Sequence, residues 1–155
     1  MSDPTEPMPM RIDLPALTTK PAWPPGIVVR GFAPADGRAL HALLAHGYRN
    51  GGGSVDAYDA WLPALVGDGE FDPALCFLAD ADGALAAAAI CWTSAFVKDI
   101  VVHESWRRRG LGEALLRDAI RAFTERGANH LRLKVQAGNA GAIALYERVG
   151  FCHET

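Results

Sequence analysis

The segment that most constrains the fold is 96–135, where a strand pattern, a helix pattern and a second strand pattern follow one another. FVKDIVV (96–102) is rich in β-branched residues, and HLRLKV (130–135) alternates apolar with basic side chains. Between them, apolar residues recur at helical spacing over 111–123, and Gly127 is a natural helix stop. This order predicts a parallel βαβ unit, and therefore an α/β fold.

The remaining segments predict further strands and helices on either side of this unit. A strand is expected at 27–32, followed by a helix after Pro34 and by a second helix for which Ser54 is the expected N-cap. ALCFLADADGALAAAAICW (74–92) predicts two strands around a turn, and Asn139 predicts the start of a short last helix. Together, these segments predict a mixed, mostly antiparallel sheet flanked by helices.

Prolines set the expected domain boundary. Seven of the ten prolines lie within 1–25, and a proline lacks the N–H that helices and sheets require. We expect an extended or disordered arm over 1–25 and regular structure from Gly26. The 155 residues are enough for one domain, expected over 26–155, which buries about two thirds of its unfolded surface.

Composition narrows the possible functions. The formal net charge of −3 argues against a surface devoted to nucleic acid. Three widely spaced cysteines without a CxxC pair favour neither a disulfide scaffold nor a metal site, and they suit a reducing cytoplasm. The longest apolar run (84–92) is too short to cross a bilayer, and the N-terminus has no secretion-signal pattern, so we expect no membrane partner.

VHESWRRRGLG (102–112) joins the predicted strand to the predicted helix. The first amides of a helix lack internal partners and attract anions, and neighbouring arginines add charge-assisted hydrogen bonds. Gly110 and Gly112 would let an oxyanion approach the backbone closely. The junction therefore predicts a phosphate or pyrophosphate site, although it matches neither the P-loop nor the dinucleotide fingerprint. A solvated basic helix start and a nucleic-acid-binding module are the alternatives.

Two motifs together resemble those of the GNAT N-acyltransferase family. Arg107-x-x-Gly110-x-Gly112 after a strand is similar to the family's acetyl-CoA pyrophosphate motif. NAGAIALYERVGF (139–151) is similar to its second hallmark, an Asn followed by a Tyr and then Gly-Phe. The resemblance implies a GNAT fold and acetyl-CoA as co-substrate. The acetyl group would pass directly to a primary amine, with a small molecule as the expected acceptor and no metal.

The resemblance also implies which residues contact the co-substrate. The pantetheine arm would pair like an added strand with backbone groups of Ile100, Val101 and Val102. The pyrophosphate would be held across six residues: Arg107, Arg108, Arg109, Gly110, Leu111 and Gly112. Asn139 would contact the pantetheine or phosphate portion, and Tyr146 would protonate the leaving thiolate. Taken alone, Asn139 could be only an N-cap and Tyr146 only a packed aromatic.

The residue that deprotonates the amine is open. Asp99 is the first candidate, as a base or to grip a cationic amine, since a carboxylate there resembles one in polyamine acetyltransferases. An ion pair with Lys98 or Lys134 is the alternative. His103 and Glu104 follow the strand, where a surface role is favoured, and no base is needed if the amine arrives neutral.

Other features bear on the acceptor. Family members that acetylate the N-terminal alanine of ribosomal proteins carry a Glu at the position of Lys134, which disfavours such a substrate. The segments from 71 to 127 resemble mycothiol-synthase-like members. The glycines at 51–53 suggest either a linker or a lid over a substrate. The alternatives are a non-catalytic CoA-binding domain and a protein N-terminal or lysine acetyltransferase.

The end of the sequence departs from the family pattern. Only four residues follow Phe151, where family members usually continue through a terminal strand pair. We expect this pair to be truncated, or replaced by the proline-rich arm or by a second subunit. An exposed sheet edge would favour a homodimer.

Overall fold

The computed structural model describes residues 3–154 and contains a seven-stranded sheet flanked by four helices. The strands are β1 (Pro7–Asp13), β2 (Ile27–Arg30), β3 (Phe71–Ala81), β4 (Ala84–Trp92), β5 (Phe96–Val102), β6 (His130–Gln136) and β7 (Cys152–His153). The helices are α1 (Gly37–Gly47), α2 (Tyr58–Val66), α3 (Leu111–Glu125) and α4 (Ala140–Val149). Across the sheet the order is β2-β3-β4-β5-β6-β1-β7, and every neighbouring pair except β5 and β6 is antiparallel. The predicted fold class is confirmed.

The helices cover opposite faces of the sheet. α3 and α4 pack on one face, where Leu116 and Phe123 lie in a cluster with Leu133 of β6. α1 and α2 pack on the other face, where Leu44 lies in a cluster with Ile90 of β4. This arrangement buries apolar side chains on both sides of the central strands, as the hydrophobic spacing of α3 and the apolar run of β4 require. No helix within residues 3–154 is long and apolar enough to cross a membrane.

The parallel βαβ unit is present, but its two strands pair for only a short distance. β5 and β6 are in register at Phe96 with Arg132 and at Val97 with Leu133, and their pairing ends there. On its other edge, β5 carries an irregularity around Lys98, because Ile90 pairs with Asp99 while Cys91 pairs with Val97. A bulge increases the local twist of a strand. Past Val97, β5 therefore follows β4 and leaves a gap beside β6.

Regular structure begins much earlier than the proline count predicts. β1 pairs with β6 along its whole length, from Pro7 opposite Gln136 to Asp13 opposite His130. The expectation that regular structure starts at Gly26 is therefore wrong. Among the alternatives for the terminal strand pair, the proline-rich segment supplies a strand: β1 lies beside β6, and β7 adds a short pairing on the outer side of β1.

The prolines are compatible with β1 because of the direction in which they face. The Pro9 carbonyl accepts a hydrogen bond from the Glu154 N–H at 3.0 Å, so Pro9 directs its backbone toward the β7 side. Pro7 lies two residues before Pro9, so its backbone faces the same side of the strand. On that side, β7 pairs only with Met10 and Arg11. The missing N–H groups thus lie on the side where β1 has few partners, and the β6 ladder is intact.

The start of α2 also differs from the prediction. Ala57, with extended backbone, is the N-cap, so Ser54 is not. The His41 side chain bonds to the Asp56 carbonyl at 2.7 Å, directly before this N-cap. By contrast, Asn139 caps α4 as predicted, because its side-chain oxygen accepts from the Ala142 N–H at 3.2 Å.

The burial of β1 leads to a stability prediction. Met10 is 0% exposed in the core shared with α3 and α4, whereas Leu17 of the same segment is 104% exposed. We expect Met10→Ala to lower the free energy of unfolding by about 2–4 kcal/mol, since the substitution removes buried methylenes and leaves a cavity. Leu17→Ala, the matched control, should change it by less than about 0.5 kcal/mol. Urea denaturation measures both, and equal effects would show that β1 does not belong to the core.

Candidate active site

A cavity of about 510 Å³ occupies the gap between β5 and β6. Ile100 and Val102 of β5, Lys134 of β6 and Tyr146 of α4 line it, together with the glycines at 51–52. A second cavity of about 220 Å³ lies at the start of α3 and shares Val102 and Arg107 with the first. The two cavities therefore adjoin, with the second at the end where β5 leads into α3.

Backbone groups of β5 face the gap at two of the three predicted positions. The His103 N–H donates to the Ala86 carbonyl of β4 at 2.8 Å. Because backbone direction alternates along an antiparallel pair, Val101 also directs its groups toward β4. Ile100 and Val102 then direct theirs away from β4, toward the gap. The structure therefore offers the N–H and C=O groups of Ile100 and Val102, while those of Val101 serve the sheet.

A run of free amides follows at the start of α3. Within residues 3–154, the N–H groups of 108–113 donate to no acceptor of the protein, and the first bond of α3 runs from the Ala114 N–H to the Gly110 carbonyl at 3.0 Å. The Arg107 N–H is used in the short 3₁₀ turn, where it donates to the Glu104 carbonyl. Six consecutive amides beside a helix start form a site for an anion.

The two glycines of the motif serve different purposes. Gly110 adopts a φ of +81°, a left-handed conformation that glycine adopts without strain. Gly112 is needed for packing, because a Cβ there would lie 3.2 Å from Leu145 Cδ2 of α4. Gly112 also lines the second cavity, so packing adds to close approach of an anion, the predicted reason for both glycines. Gly112 holds α3 against α4 beside the second cavity.

The three consecutive arginines have different surroundings. Arg107 and Arg108 line the second cavity, together with Arg148 of α4. The Arg109 guanidinium lies 4.7 Å from the centre of the Trp106 ring, a cation–π contact, and Arg109 does not line this cavity. Leu111, which also borders this cavity, is a core residue. The cationic part of the anion site is therefore Arg107, Arg108 and Arg148.

One carboxylate lies at the edge of this anion site. Glu113 accepts hydrogen bonds from Arg148 at 3.0 Å and from Arg117 at 3.4 Å. These guanidinium groups lower the pKa of Glu113, chiefly through the bond from Arg148. Its negative charge is thus matched by its own partners and does not cancel Arg107 or Arg108.

Asn139 and Tyr146 each stabilise the fold and also border the larger cavity. Asn139 caps α4 and also lines the larger cavity. Tyr146 is 7% exposed and packs edge-on against Phe151, yet it also borders the cavity. Burial raises the pKa of Tyr146 to about 12, so its phenol stays protonated at neutral pH.

Asp99 lies behind the cavity wall. It is 9% exposed, and its two oxygens accept from the Tyr48 hydroxyl at 2.6 Å and from Lys98 Nζ at 2.8 Å. Tyr48 and Lys98 line the cavity, whereas Asp99 does not. Burial and the negative charge of Asp99 both raise the pKa of Tyr48. Direct contact between Asp99 and an amine, as the sequence suggests, is therefore blocked by these two side chains.

Sequence reasoning missed Tyr48. It follows α1, 51 positions before its partner Asp99, and no motif marks it. The available signal was the glycine run: Gly53 lies so close that a Cβ there would be 2.8 Å from the Tyr48 ring. Gly53 thus packs against the Tyr48 ring, and Gly51 and Gly52 line the larger cavity with Tyr48.

His103 and Glu104 line neither cavity. The His103 ring stacks on His46 at 4.6 Å, and Glu104 accepts from Arg49 at 2.6 Å, which ties the end of α1 to the turn after β5. Among residues 3–154, no three His, Cys, Asp or Glu side chains form a group able to hold a metal ion.

Comparison with known proteins identifies the class. The model of the acetyltransferase (GNAT) family matches residues 39–151, so the chain belongs to the GNAT acetyltransferase family. This confirms the resemblance found in the two sequence motifs.

Relatives differ in what they acetylate. The chain is 32% identical to mycothiol acetyltransferase of Streptomyces coelicolor, over 93% of this chain and 48% of that enzyme. It is 37% identical to the ribosomal protein bS18-alanine N-acetyltransferase of Escherichia coli K12, over 61% of this chain and 66% of that enzyme. A GCN5-related N-acetyltransferase from Sphaerobacter thermophilus superimposes with a TM-score of 0.81 at 26% identity, over 96% of this chain and 48% of that one. The chain thus spans less than two thirds of the length of each of these relatives.

The raised pKa of Tyr146 gives a test of its burial. A phenol titrates near 10 in the unfolded chain and at about 12 in the folded one, so folding favours the neutral form. The contribution of the neutral phenol to the free energy of unfolding is fully present below about pH 10 and is lost between about pH 10 and pH 12. When the pH rises from 8.5 to 11, the free energy of unfolding of the wild type should therefore fall by about 1 kcal/mol more than that of Tyr146→Phe.

Urea denaturation at the two pH values measures this difference. Because each protein is compared with itself at the two pH values, any effect of removing the hydroxyl that does not depend on pH cancels. If the variant and the wild type lose equal stability, the Tyr146 phenol is in contact with water.

Proposed function

We propose that the chain is an acetyl-CoA-dependent N-acetyltransferase that transfers the acetyl group directly to a primary amine of a small molecule. The observation that carries the proposal is the gap past Val97, where unpaired backbone groups of β5 lead into six free amides at 108–113. Family membership agrees with it. A long ligand with an anionic end and an amide-containing arm fits this arrangement.

The residues present fit acetyl-CoA. The pyrophosphate would lie against the amides of 108–113, with Arg107 and Arg108 supplying positive charge. The pantetheine arm has amides of its own, which match the free N–H and C=O groups of Ile100 and Val102. This would bring the thioester toward Tyr146. Acetyl-CoA then supplies an activated acetyl group.

The reaction forms an N–C bond and breaks the C–S bond of the thioester. A β5 amide that faces the gap can donate to the carbonyl oxygen as negative charge develops on it. The departing sulfur needs a proton, and the buried Tyr146 phenol lies at the cavity as its donor. The burial that raises the pKa of Tyr146 also raises that of a thiol beside it, so proton transfer between them stays feasible.

The amine must be neutral to attack. Lys98 and Lys134 line the cavity at the end where β5 and β6 separate, but an ammonium group is a hydrogen-bond donor and cannot accept the proton of the amine. Asp99 can receive a proton from that amine only through the Tyr48 hydroxyl, which lies in front of it. We therefore assign Asp99 to holding Tyr48 and Lys98 in place, with the proton leaving through Tyr48 or solvent.

A protein N-terminal acetyltransferase is the second candidate, supported by the similarity to the bS18-alanine enzyme. An acceptor panel that holds small amines, amino acids and peptides with a free N-terminal alanine separates the two. Thiol release from acetyl-CoA reports turnover. Fastest turnover with the peptides would favour the second candidate. Coenzyme binding without turnover of any amine would leave only a CoA-binding domain.

Substitution of Tyr146 tests its proposed role as the proton donor. We expect Tyr146→Phe to lower kcat by at least about tenfold, because the proton donor is lost. The dissociation constant for acetyl-CoA should change less than about twofold. Thiol-release kinetics and titration calorimetry measure the two quantities. Asp99→Asn should instead raise KM for the amine, since Tyr48 and Lys98 lose their common partner. Unchanged kcat in Tyr146→Phe would remove Tyr146 as the acid.

A further inference from the structure

The charged side chains that line the larger cavity are all cationic. Among the lining residues within 3–154, these are Lys98, Arg107 and Lys134, and none is Asp or Glu. Arg107 belongs to the end shared with the anion site. Lys98 and Lys134 come directly after the last paired residues, Val97 and Leu133, at the opposite end. The acceptor end of the proposed active site is therefore flanked by two ammonium groups.

The charge of Lys98 is already matched. Its Nζ lies 2.8 Å from Asp99 Oδ2 and 5.7 Å from the centre of the Trp92 ring. Both contacts stabilise the ammonium and fix its position. Lys98 thus contributes little net charge to the cavity.

The charge of Lys134 is not matched. Neighbouring cations on this face have partners: Arg132 contacts Glu154 at 2.8 Å, and Arg11 of β1 contacts Asp13 at 2.7 Å. In the part of the chain from 3 to 154, Lys134 has neither an ion pair nor a side-chain hydrogen bond, and its neighbour on β1 is Pro9. An unmatched ammonium in a cavity wall is a recognition element for an anionic group.

A neutral donor lies beside it. Gln136 is two positions further along β6, on the same face of the sheet, and it lines the same cavity. Its amide N–H₂ and the Lys134 ammonium form a pair of donors suited to the two oxygens of a carboxylate.

We propose that the acceptor carries a carboxylate close to its primary amine, and that Lys134 and Gln136 bind this carboxylate. The proposal rests on the proposed acetyl transfer and names its substrate class, the small amino carboxylic acids. Binding the carboxylate at Lys134 neutralises the unmatched charge and leaves the amine directed toward the gap, where the thioester would lie. Simple cationic polyamines are disfavoured, because they would add positive charge beside the unmatched ammonium of Lys134.

The test compares matched acceptors that differ only in the carboxylate, such as phenylalanine and phenylalaninamide, or alanine and alaninamide. The kcat/KM ratio of acid to amide is measured for the wild type and for variants, so that intrinsic differences between the two amines cancel. We expect Lys134→Gln to lower this ratio by about fivefold to tenfold, as for loss of one partly exposed charged hydrogen bond. Lys134→Glu should lower it further.

The control is Lys20→Gln, which removes an exposed lysine that lines neither of the two cavities and should leave the ratio unchanged. Since Lys134 is exposed, its substitutions should fold normally, and thermal unfolding checks this. An unchanged ratio in both Lys134 variants, or equal use of acids and amides by the wild type, would overturn the proposal.

A binding measurement separates this proposal from the catalytic one. With the protein saturated with CoA, titration calorimetry gives the affinities for phenylalanine and phenylalaninamide without any turnover. Tighter binding of the acid that is lost in Lys134→Gln, in a protein that acetylates no amine, would support the carboxylate subsite and refute the acetyltransferase. Acetylation of amines without any preference for acids in rate or affinity would refute the subsite alone.

Discussion

The short pairing between β5 and β6 is the constraint on which the rest of the structure depends. Backbone N–H and C=O groups in a sheet must be paired, and an unpaired buried group costs about 1–3 kcal/mol. Past Val97, the groups of Ile100 and Val102 lose β6 as a partner and remain available to solvent or to a ligand. The free amides at 108–113 extend this set into α3. Together they form a continuous polar edge, which suits an elongated ligand.

Neighbouring elements keep this gap open. β1 pairs with β6 along the side away from β5, so β6 stays in the sheet after it has left β5. β5 stays paired with β4 on both sides of the irregularity at Lys98, and Gly112 lets α3 pack closely on α4, which carries Tyr146. The parts of the sequence that determine the site thus include β1, a strand far from the two family motifs. The same strand contributes Pro7 to the cavity wall.

The parts of the fold and site that could be predicted are those with local patterns. The βαβ unit follows from strand and helix periodicity, and the anion site follows from orphan amides at the start of α3, next to Gly110. β1 was missed because proline content indicates a lack of donors but not which way they face. Tyr48 was missed because its role depends on a contact with Asp99 that only the tertiary structure brings about. The charge balance around Lys134 is likewise a property of several strands together.

The proposed function requires acetyl-CoA to bind along the unpaired backbone of β5 and of the start of α3. Backbone amide NMR spectra recorded during titration with acetyl-CoA test it most directly, because each N–H reports on its own environment. We expect the largest shifts at Ile100, Val102 and residues 108–113, and a smaller shift at Val101, because its N–H faces β4. Saturable binding with the largest shifts elsewhere, such as on α2 or β2, would contradict this requirement, as would the absence of binding.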